Sequence, residues 1–126
     1  MSEPPSTDDA LRGLFARPGM YVGATSYLSV VTFLNGMSWG MSLAGRDEVF
    51  GDDGASPSFY DWLCGRVSVV SHPALGWHHL PLFLISGLER DEHRRPILPP
   101  ERDEEAIRVL GELLSQYRNE RGIRVR

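Results

Sequence analysis

The chain has 126 residues, with 13 basic and 17 acidic side chains, and its net charge at pH 7 is -4 when histidine is neutral. Hydrophobic residues make up 41% of the sequence, which suits one buried core and excludes a wholly disordered chain. The acidic balance argues against a nucleic-acid binder, because phosphate contacts need a clustered basic surface. We expect a flexible N-terminus at residues 1–6 and a single globular domain over residues 7–126.

The first residues and the cysteine content indicate a cytoplasmic protein. The start MSEPPSTDD is acidic and polar, whereas a secretory signal has positive charge followed by an apolar run. Cys64 is the only cysteine, so an internal disulfide is excluded. The stretch between Arg17 and Arg46 is uncharged, but its many Ser, Thr, Asn and Gly residues do not suit a membrane span.

A first helix is predicted to begin at Ser6 or Thr7, either of which suits the N-cap position. Pro18 ends this helix, because the residue before a proline is pushed out of the helical region. The stretch RPGMYVG at 17–23 then predicts a tight connection. We expect its methionine and tyrosine to pack on the core and Gly23 to release the chain into the next helix.

A second helix, over about 26–44, is apolar around most of its circumference, which predicts a position in the middle of the core. Gly36 and Gly40 leave shallow surface on this helix. Each costs about 1 kcal/mol of helix propensity relative to alanine, which indicates that close packing of another helix needs them. We interpret Asn35 as making a local polar contact rather than binding a ligand.

The residues after the second helix predict a loop, then a third helix over about 59–69 with Ser58 as its N-cap. The following stretch, 67–86, has two interpretations. Residues 67–70 and 82–85 could form short strands, but the apolar spacing within 77–84 also fits a helix, which we favour.

The clearest helix follows Pro99 and Pro100. Acidic residues occupy its start, and basic residues with Gly122 its end, as the helix dipole and the glycine C-cap preference require. Its predicted buried stripe is Ala106, Leu110, Leu113, Leu114 and Tyr117. Together these elements predict a mainly α fold, a single compact domain of four or five helices with at most a small β-hairpin.

Cys64 and the histidines are the candidate groups for chemistry. Cys64 would be a nucleophile only if a histidine and a lowered pKa activated it, so we favour a buried structural thiol. The four histidines, His72, His78, His79 and His93, lack the paired spacing of zinc ligands. No catalytic residue, metal or cofactor is predicted. The alternative is a small ligand-binding protein or hydrolase that uses Cys64 and nearby histidines.

A protein-binding surface is predicted on the acidic loop and the third helix. The loop lacks the ligand pattern of a calcium site, so its acids are interpreted as steering a basic partner. Trp62 lies off the apolar stripe of its helix, and both an exposed anchor and a core position are open to it. The candidate binding residues are Asp47, Glu48, Asp52, Asp53, Tyr60, Trp62 and Arg66.

The stretch RPGMYVG also resembles the R-P-G-M-Y-I-G sequence near the start of the ATPase domain of gyrase B and its relatives. The stretch SLAG at 42–45 is similar to the end of the helix that follows there. The corresponding helix of this chain carries no acid for magnesium, and no D-x-G-x-G nucleotide loop follows it. These differences argue against an ATPase.

Most of the chain resembles a group of small, mostly uncharacterised bacterial proteins with an N-terminal R-P-x-[ML]-Y-[ILV]-G motif. The matching pieces here are Arg17 to Gly23, Leu34 to Gly36, Phe59 to Leu63, Gly76 with Trp77, and Asp103 to Tyr117. Some of these proteins look like immunity proteins beside secreted toxins. The resemblance implies a non-enzymatic protein-binding module, of the immunity or antitoxin type, that neutralises a partner. The oligomeric state is left open.

Overall fold

The computed structural model describes residues 6–23, 26–51, 58–68 and 76–122. Across these ranges the chain is a single compact, mainly α domain without strands, which confirms the predicted fold class. The β pairing described there is one antiparallel bridge between Arg90 and Pro96, which is too short to form strands. Residues 1–5 of the predicted N-terminal segment lie outside the described ranges.

The described elements are five α-helices and two 3₁₀ helices. In chain order they are α1 (Thr7–Ala16), α2 (Pro18–Val22), α3 (Tyr27–Leu43), α4 (Phe59–Val67), a 3₁₀ helix (Trp77–Leu84), a 3₁₀ turn (Pro100–Arg102) and α5 (Asp103–Arg121). Three of the α-helices begin at a serine whose side-chain oxygen accepts a hydrogen bond from a backbone N–H in the first turn. These N-caps are Ser6, Ser26 and Ser58.

The predicted tight connection after α1 is a one-turn helix, α2, which ends at Gly23 with a left-handed φ of 74°. Tyr21 packs edge-on against Phe33 of α3, with 6.3 Å between the ring centroids. The Tyr21 ring also lies over Gly13 of α1, where a Cβ would be 2.2 Å from the phenolic oxygen. Met20 is 75% exposed, so the expectation that it packs on the core is wrong. One residue of the pair, Tyr21, holds the turn in place.

The residues from 77 to 84 form a 3₁₀ helix rather than a strand or an α-helix, with Pro81 buried inside it. Pro81 has no N–H for the hydrogen bond that an α-helix interior requires. Two hydrogen bonds join this element to α3: the Tyr27 hydroxyl donates to the carbonyl of His78 at 2.7 Å, and Trp77 Nε1 donates to Asn35 Oδ1 at 3.0 Å. The polar contact predicted for Asn35 is confirmed, but its partner lies 42 residues away in the sequence, so the contact is not local. Residues 69–75 lie outside the described ranges.

The core lies between α1, α3, α4, α5 and the 3₁₀ helix at residues 77–84. The predicted buried stripe of α5 is confirmed, and Gly122, at a φ of 68°, ends that helix. The start of α3 is attached to α5, because the backbone N–H of Tyr27 donates to Asp103 Oδ1 at 2.8 Å. The largest fully buried side chains include Tyr27, Leu14, Leu34, Leu63, Leu80, Leu110, Leu114 and Tyr117.

Only one face of α3 belongs to this core. Its buried residues are Tyr27, Val30, Val31 and Leu34, while the opposite face is open. The expectation that α3 lies in the middle of the core is therefore wrong. An all-round apolar helix is normally covered on all sides, and here the apolar residues of one face have no cover among the described residues. No helix in the described ranges is both long and apolar enough to cross a membrane.

Candidate protein-binding surfaces

Asp47 is an internal hydrogen-bond acceptor rather than an exposed acid. Its carboxylate accepts hydrogen bonds from the Ser38 hydroxyl of α3 and from the backbone N–H groups of Val49, at 2.7 Å, and Phe50, at 3.2 Å. The residue is 6% exposed. The predicted role of Asp47 in an exposed acidic surface is therefore wrong. Its carboxylate attaches the loop after α3 to the helix.

Glu48 also takes part in internal contacts. Its Oε1 accepts a hydrogen bond from Thr7 Oγ1 at 2.8 Å, which connects the loop to the start of α1. The carbonyls of Glu48 and Val49 both accept hydrogen bonds from the guanidinium of Arg118. The other predicted acids of this loop, Asp52 and Asp53, lie outside the described residues, and their place in a binding surface stays a prediction.

Arg118 is a residue at the loop after α3 whose role the sequence analysis did not predict. Besides the two loop carbonyls, its guanidinium pairs with the carboxylate of Asp8 on α1, and the residue is 6% exposed. A buried arginine thus connects α1, the loop and α5. The signal was present in the spacing, because Arg118 follows Leu110 and Leu114 at intervals of four on the buried stripe of α5. The sequence interpretation assigned the residue only to the helix dipole.

Trp62 is half-buried, so it is neither a bare anchor nor a core residue. Its indole Nε1 donates to Glu120 Oε2 at 3.1 Å, and its ring lies 5.5 Å from that of Tyr117. The guanidinium of Arg66 sits over the indole at 5.1 Å and also donates to Gln116 of α5. Trp62 and Arg66 are therefore brought together, as the sequence analysis expected, but each is held by contacts within the chain.

Tyr60 and Cys64 lie on α4, the same helix as Trp62 and Arg66. Tyr60 is half-buried, and Cys64 is buried. Burial raises the pKa of the Cys64 thiol, an effect that a hydrogen bond with Tyr60 partly opposes. The thiolate is the reactive form of cysteine. A raised pKa and limited access together leave this thiol poorly suited to nucleophilic attack.

His78 and His79 lie side by side, with 4.1 Å between their ring centroids. Burial lowers the pKa of both rings, so both favour the neutral form at pH 7. Among the residues with a described position, no group of three or more His, Cys, Asp or Glu side chains is arranged to hold a metal ion. His72 falls outside that part of the chain.

The environment of Cys64 predicts slow thiol chemistry. In the native protein at pH 7.5, we expect a thiol reagent such as DTNB to label Cys64 at least about a hundredfold more slowly than in the denatured chain, because labelling requires local opening. Stopped-flow absorbance measures both rates. A native rate equal to the denatured rate would show that the thiol is open to solvent and reactive.

The most exposed large apolar side chains of α3 lie together on its outward side. Trp39 is 69% exposed, Leu43 75% and Leu28 62%. We define the outer face of α3 as Leu28, Thr32, Gly36, Trp39, Gly40 and Leu43, all of which are exposed. A Cβ built on Gly36 or Gly40 would have no neighbouring atom within 4 Å. The glycines therefore form shallow open surface beside the projecting Trp39 and Leu43, and the close helix packing expected at these glycines is absent from the described chain.

Helix α2, which packs against α3 through Tyr21, presents further exposed apolar side chains. Tyr21, which is 43% exposed, contacts Phe33 of α3, and Met20 next to it is more exposed still. The sequence is uncharged from Pro18 to Gly45, so the two helices and the residues between them contribute no ionic group. Sequence reasoning identified the missing charge and the glycines, but assigned them to the core.

A groove of about 530 Å³ lies between α1 and α5. Gly111 forms part of its wall, where a Cβ would be 2.9 Å from the Phe15 ring. The charged groups around the groove already have partners: Arg118 contacts Asp8 and the loop, and Arg12 contacts Asp9 at 2.9 Å. The outer face of α3 thus differs from both the groove and the α4 surface in lacking charges and internal partners.

Comparisons of the chain with protein-family models, with curated proteins and with solved structures found no match.

Proposed function

We propose that this protein is a non-enzymatic protein-binding module that docks through the outer face of α3. The observation that carries the proposal is the exposure of Trp39, 69% of whose surface is open, on the same face as Leu43 and Leu28. Single exposed apolar residues are common, but a contiguous exposed apolar patch marks an interaction site. Tryptophan is also among the residue types most enriched in binding hot spots.

The number of exposed apolar side chains on the outer face of α3 determines how much further surface a partner must cover. Covering one large apolar side chain contributes about 1.5–3 kcal/mol, whereas association costs at least about 4 kcal/mol in lost freedom. Trp39, Leu43 and Leu28 together therefore offset that cost but leave little net affinity. A partner that binds usefully must also cover the glycine surface between them and Met20 on α2.

The immunity or antitoxin role comes from the resemblance described in the sequence analysis, and it fits a protein that works by covering another. A hydrolase built on Cys64 is disfavoured by the burial of the thiol and its raised pKa. A surface around Trp62 and Arg66 is a weaker candidate than α3, because a partner there would first have to displace Glu120 and Gln116.

The test is affinity capture with the full chain, followed by calorimetry with the purified partner. Trp39→Ala should weaken binding about thirtyfold or more, as expected for a hot-spot tryptophan. Arg108→Ala is the control, since Arg108 is exposed on α5, away from this face. Wild-type affinity in Trp39→Ala, with loss in Trp62→Phe, would move the site to α4 and overturn the proposed surface.

A further inference from the structure

We infer that the protein bound by the outer face of α3 is a second copy of this chain, in a symmetric dimer with the two α3 helices packed antiparallel. The inference rests on the proposed function in that it uses the same face. Four properties of that face support it: the spacing of its residues, the open space at its glycine, its lack of charge and its area.

When Gly40 is left aside, the spacing of the other five residues of the outer face reads almost the same in both directions. Leu28, Thr32, Gly36, Trp39 and Leu43 follow at intervals of four, four, three and four residues. A two-fold axis near Gly36 therefore places Leu28 opposite Leu43 of the second copy, and Trp39 opposite Thr32. Two-fold dimers require such a self-complementary patch.

The sizes of the side chains along the outer face also fit an antiparallel two-fold dimer. At the two-fold axis Gly36 has no side chain, and space above it is open. Two helices can therefore approach closely there, with the axes toward the lower end of the usual separation of about 8–10 Å. Trp39 of each copy then lies over the small Thr32 and Gly36 of the other. A large residue beside a small one on each copy fills the contact without a void.

Charge favours a second copy over a basic partner at this face. The whole chain carries a net charge of -4, but the sequence from Pro18 to Gly45 contains no ionisable acid or base other than Tyr21 and Tyr27. A basic protein finds no acid to pair with here. Two acidic copies, in contrast, meet at the part of the surface where their like charges are absent.

The available area predicts a dimer of moderate strength. Stable complexes bury about 800 Å² on each partner. Helix α3 is about 25 Å long. Its outer face, together with Met20 and Tyr21 of α2, which are 75% and 43% exposed, supplies at most about that area. We therefore expect a dissociation constant in the micromolar range, where the smaller interfaces lie.

Sedimentation velocity of the full chain over a wide concentration range tests the inference. The wild-type protein should change from monomer to dimer, and higher salt should strengthen the dimer because screening weakens the repulsion between acidic copies. Gly36→Arg should weaken the dimer at least about tenfold, since it places two arginines against each other at the axis. The open space at Gly36 lets this variant fold.

Gly65→Arg is the matched control, because Gly65 is also an exposed helical glycine with open space, on α4. This variant should dimerise like the wild type. The register is tested by Gly36→Cys, which should form an interchain disulfide under mild oxidation, whereas Gly65→Cys should not. Buried Cys64 serves as an internal reference in both variants.

The remaining outcomes separate this inference from the proposed function. A monomer at all concentrations whose heterologous partner is lost in Trp39→Ala would overturn the dimer and support the proposed function. A dimer that persists in Gly36→Arg would place the contact elsewhere and overturn the inference. A monomer that sediments with anionic lipid vesicles through Trp39 would overturn both.

Discussion

Leu34→Ala should lower the free energy of unfolding by about 3 kcal/mol, whereas Leu28→Ala should change it by less than about 0.5 kcal/mol. Both leucines belong to α3, but Leu34 is fully buried and Leu28 is 62% exposed. Removing Leu34 leaves a cavity in the core as well as losing the transfer free energy of its side chain. Removing Leu28 leaves neither effect in the monomer.

Urea denaturation at protein concentrations below the dimer dissociation constant measures both variants. This concentration matters because binding of a second copy would add to the apparent stability. Equal losses in the two variants would mean that both faces of α3 are buried, which contradicts the exposed face and removes the basis of both proposals. At high concentration Leu28→Ala should additionally weaken the dimer, because its side chain meets Leu43 across the two-fold axis.

The ends of the helices were predictable because their signals are local. A serine at Ser26 or Ser58 forms its capping hydrogen bond within the first turn, at 3.1 and 3.2 Å respectively, and needs no distant residue. Gly122 likewise ends α5 through its own left-handed conformation. Such features depend on three or four neighbouring residues, so the sequence contains all of the information.

The orientation of α3 could not be predicted in the same way. When both faces of a helix are apolar, its periodicity does not indicate which face is buried. Leu34 and Leu43 are chemically identical, and only the packing of other elements, α5 among them, selects the first for the core. The sequence analysis therefore assigned Gly36 and Gly40 to interior packing, and it did not identify Trp39 and Leu43 as candidate site residues.

Asp47 is an intermediate case. Its hydrogen bond from the N–H of Val49, two residues on, is a local Asx-turn contact that an aspartate in a loop often makes. Its bond from Ser38 crosses from the loop to α3 and has no local signal. Most carboxylates in loops are solvated, which is why the sequence predicts an exposed Asp47. The tertiary contact is what makes this one structural.

Arg118→Ala should destabilise the protein by about 3 kcal/mol, because it removes a buried charged group that serves three partners. The guanidinium contacts the carbonyls of Glu48 and Val49 and the carboxylate of Asp8, so its loss leaves the loop carbonyls without their donor. Asp8 is 40% exposed and can be hydrated instead, which keeps the expected loss at the low end for a broken buried pair.

Arg108→Ala is the matched control on the same helix. Arg108 and its partner Glu112 are 63% and 60% exposed, and 3.6 Å separates their charged atoms. Such an ion pair contributes less than about 0.5 kcal/mol.

The loss of stability in Arg118→Lys should lie between those of Arg118→Ala and Arg108→Ala, since a single ammonium keeps the charge but cannot reach all three partners in the fixed geometry of a guanidinium. Thermal and urea denaturation give the order. If Arg118→Ala unfolded with the same midpoint as Arg108→Ala, the buried network joining α1, the loop and α5 would not stabilise the fold. Because the partners of Arg118 are Asp8 and the loop carbonyls of Glu48 and Val49, none of which belongs to the outer face of α3, its loss should weaken folding without changing the dissociation constant of the folded dimer.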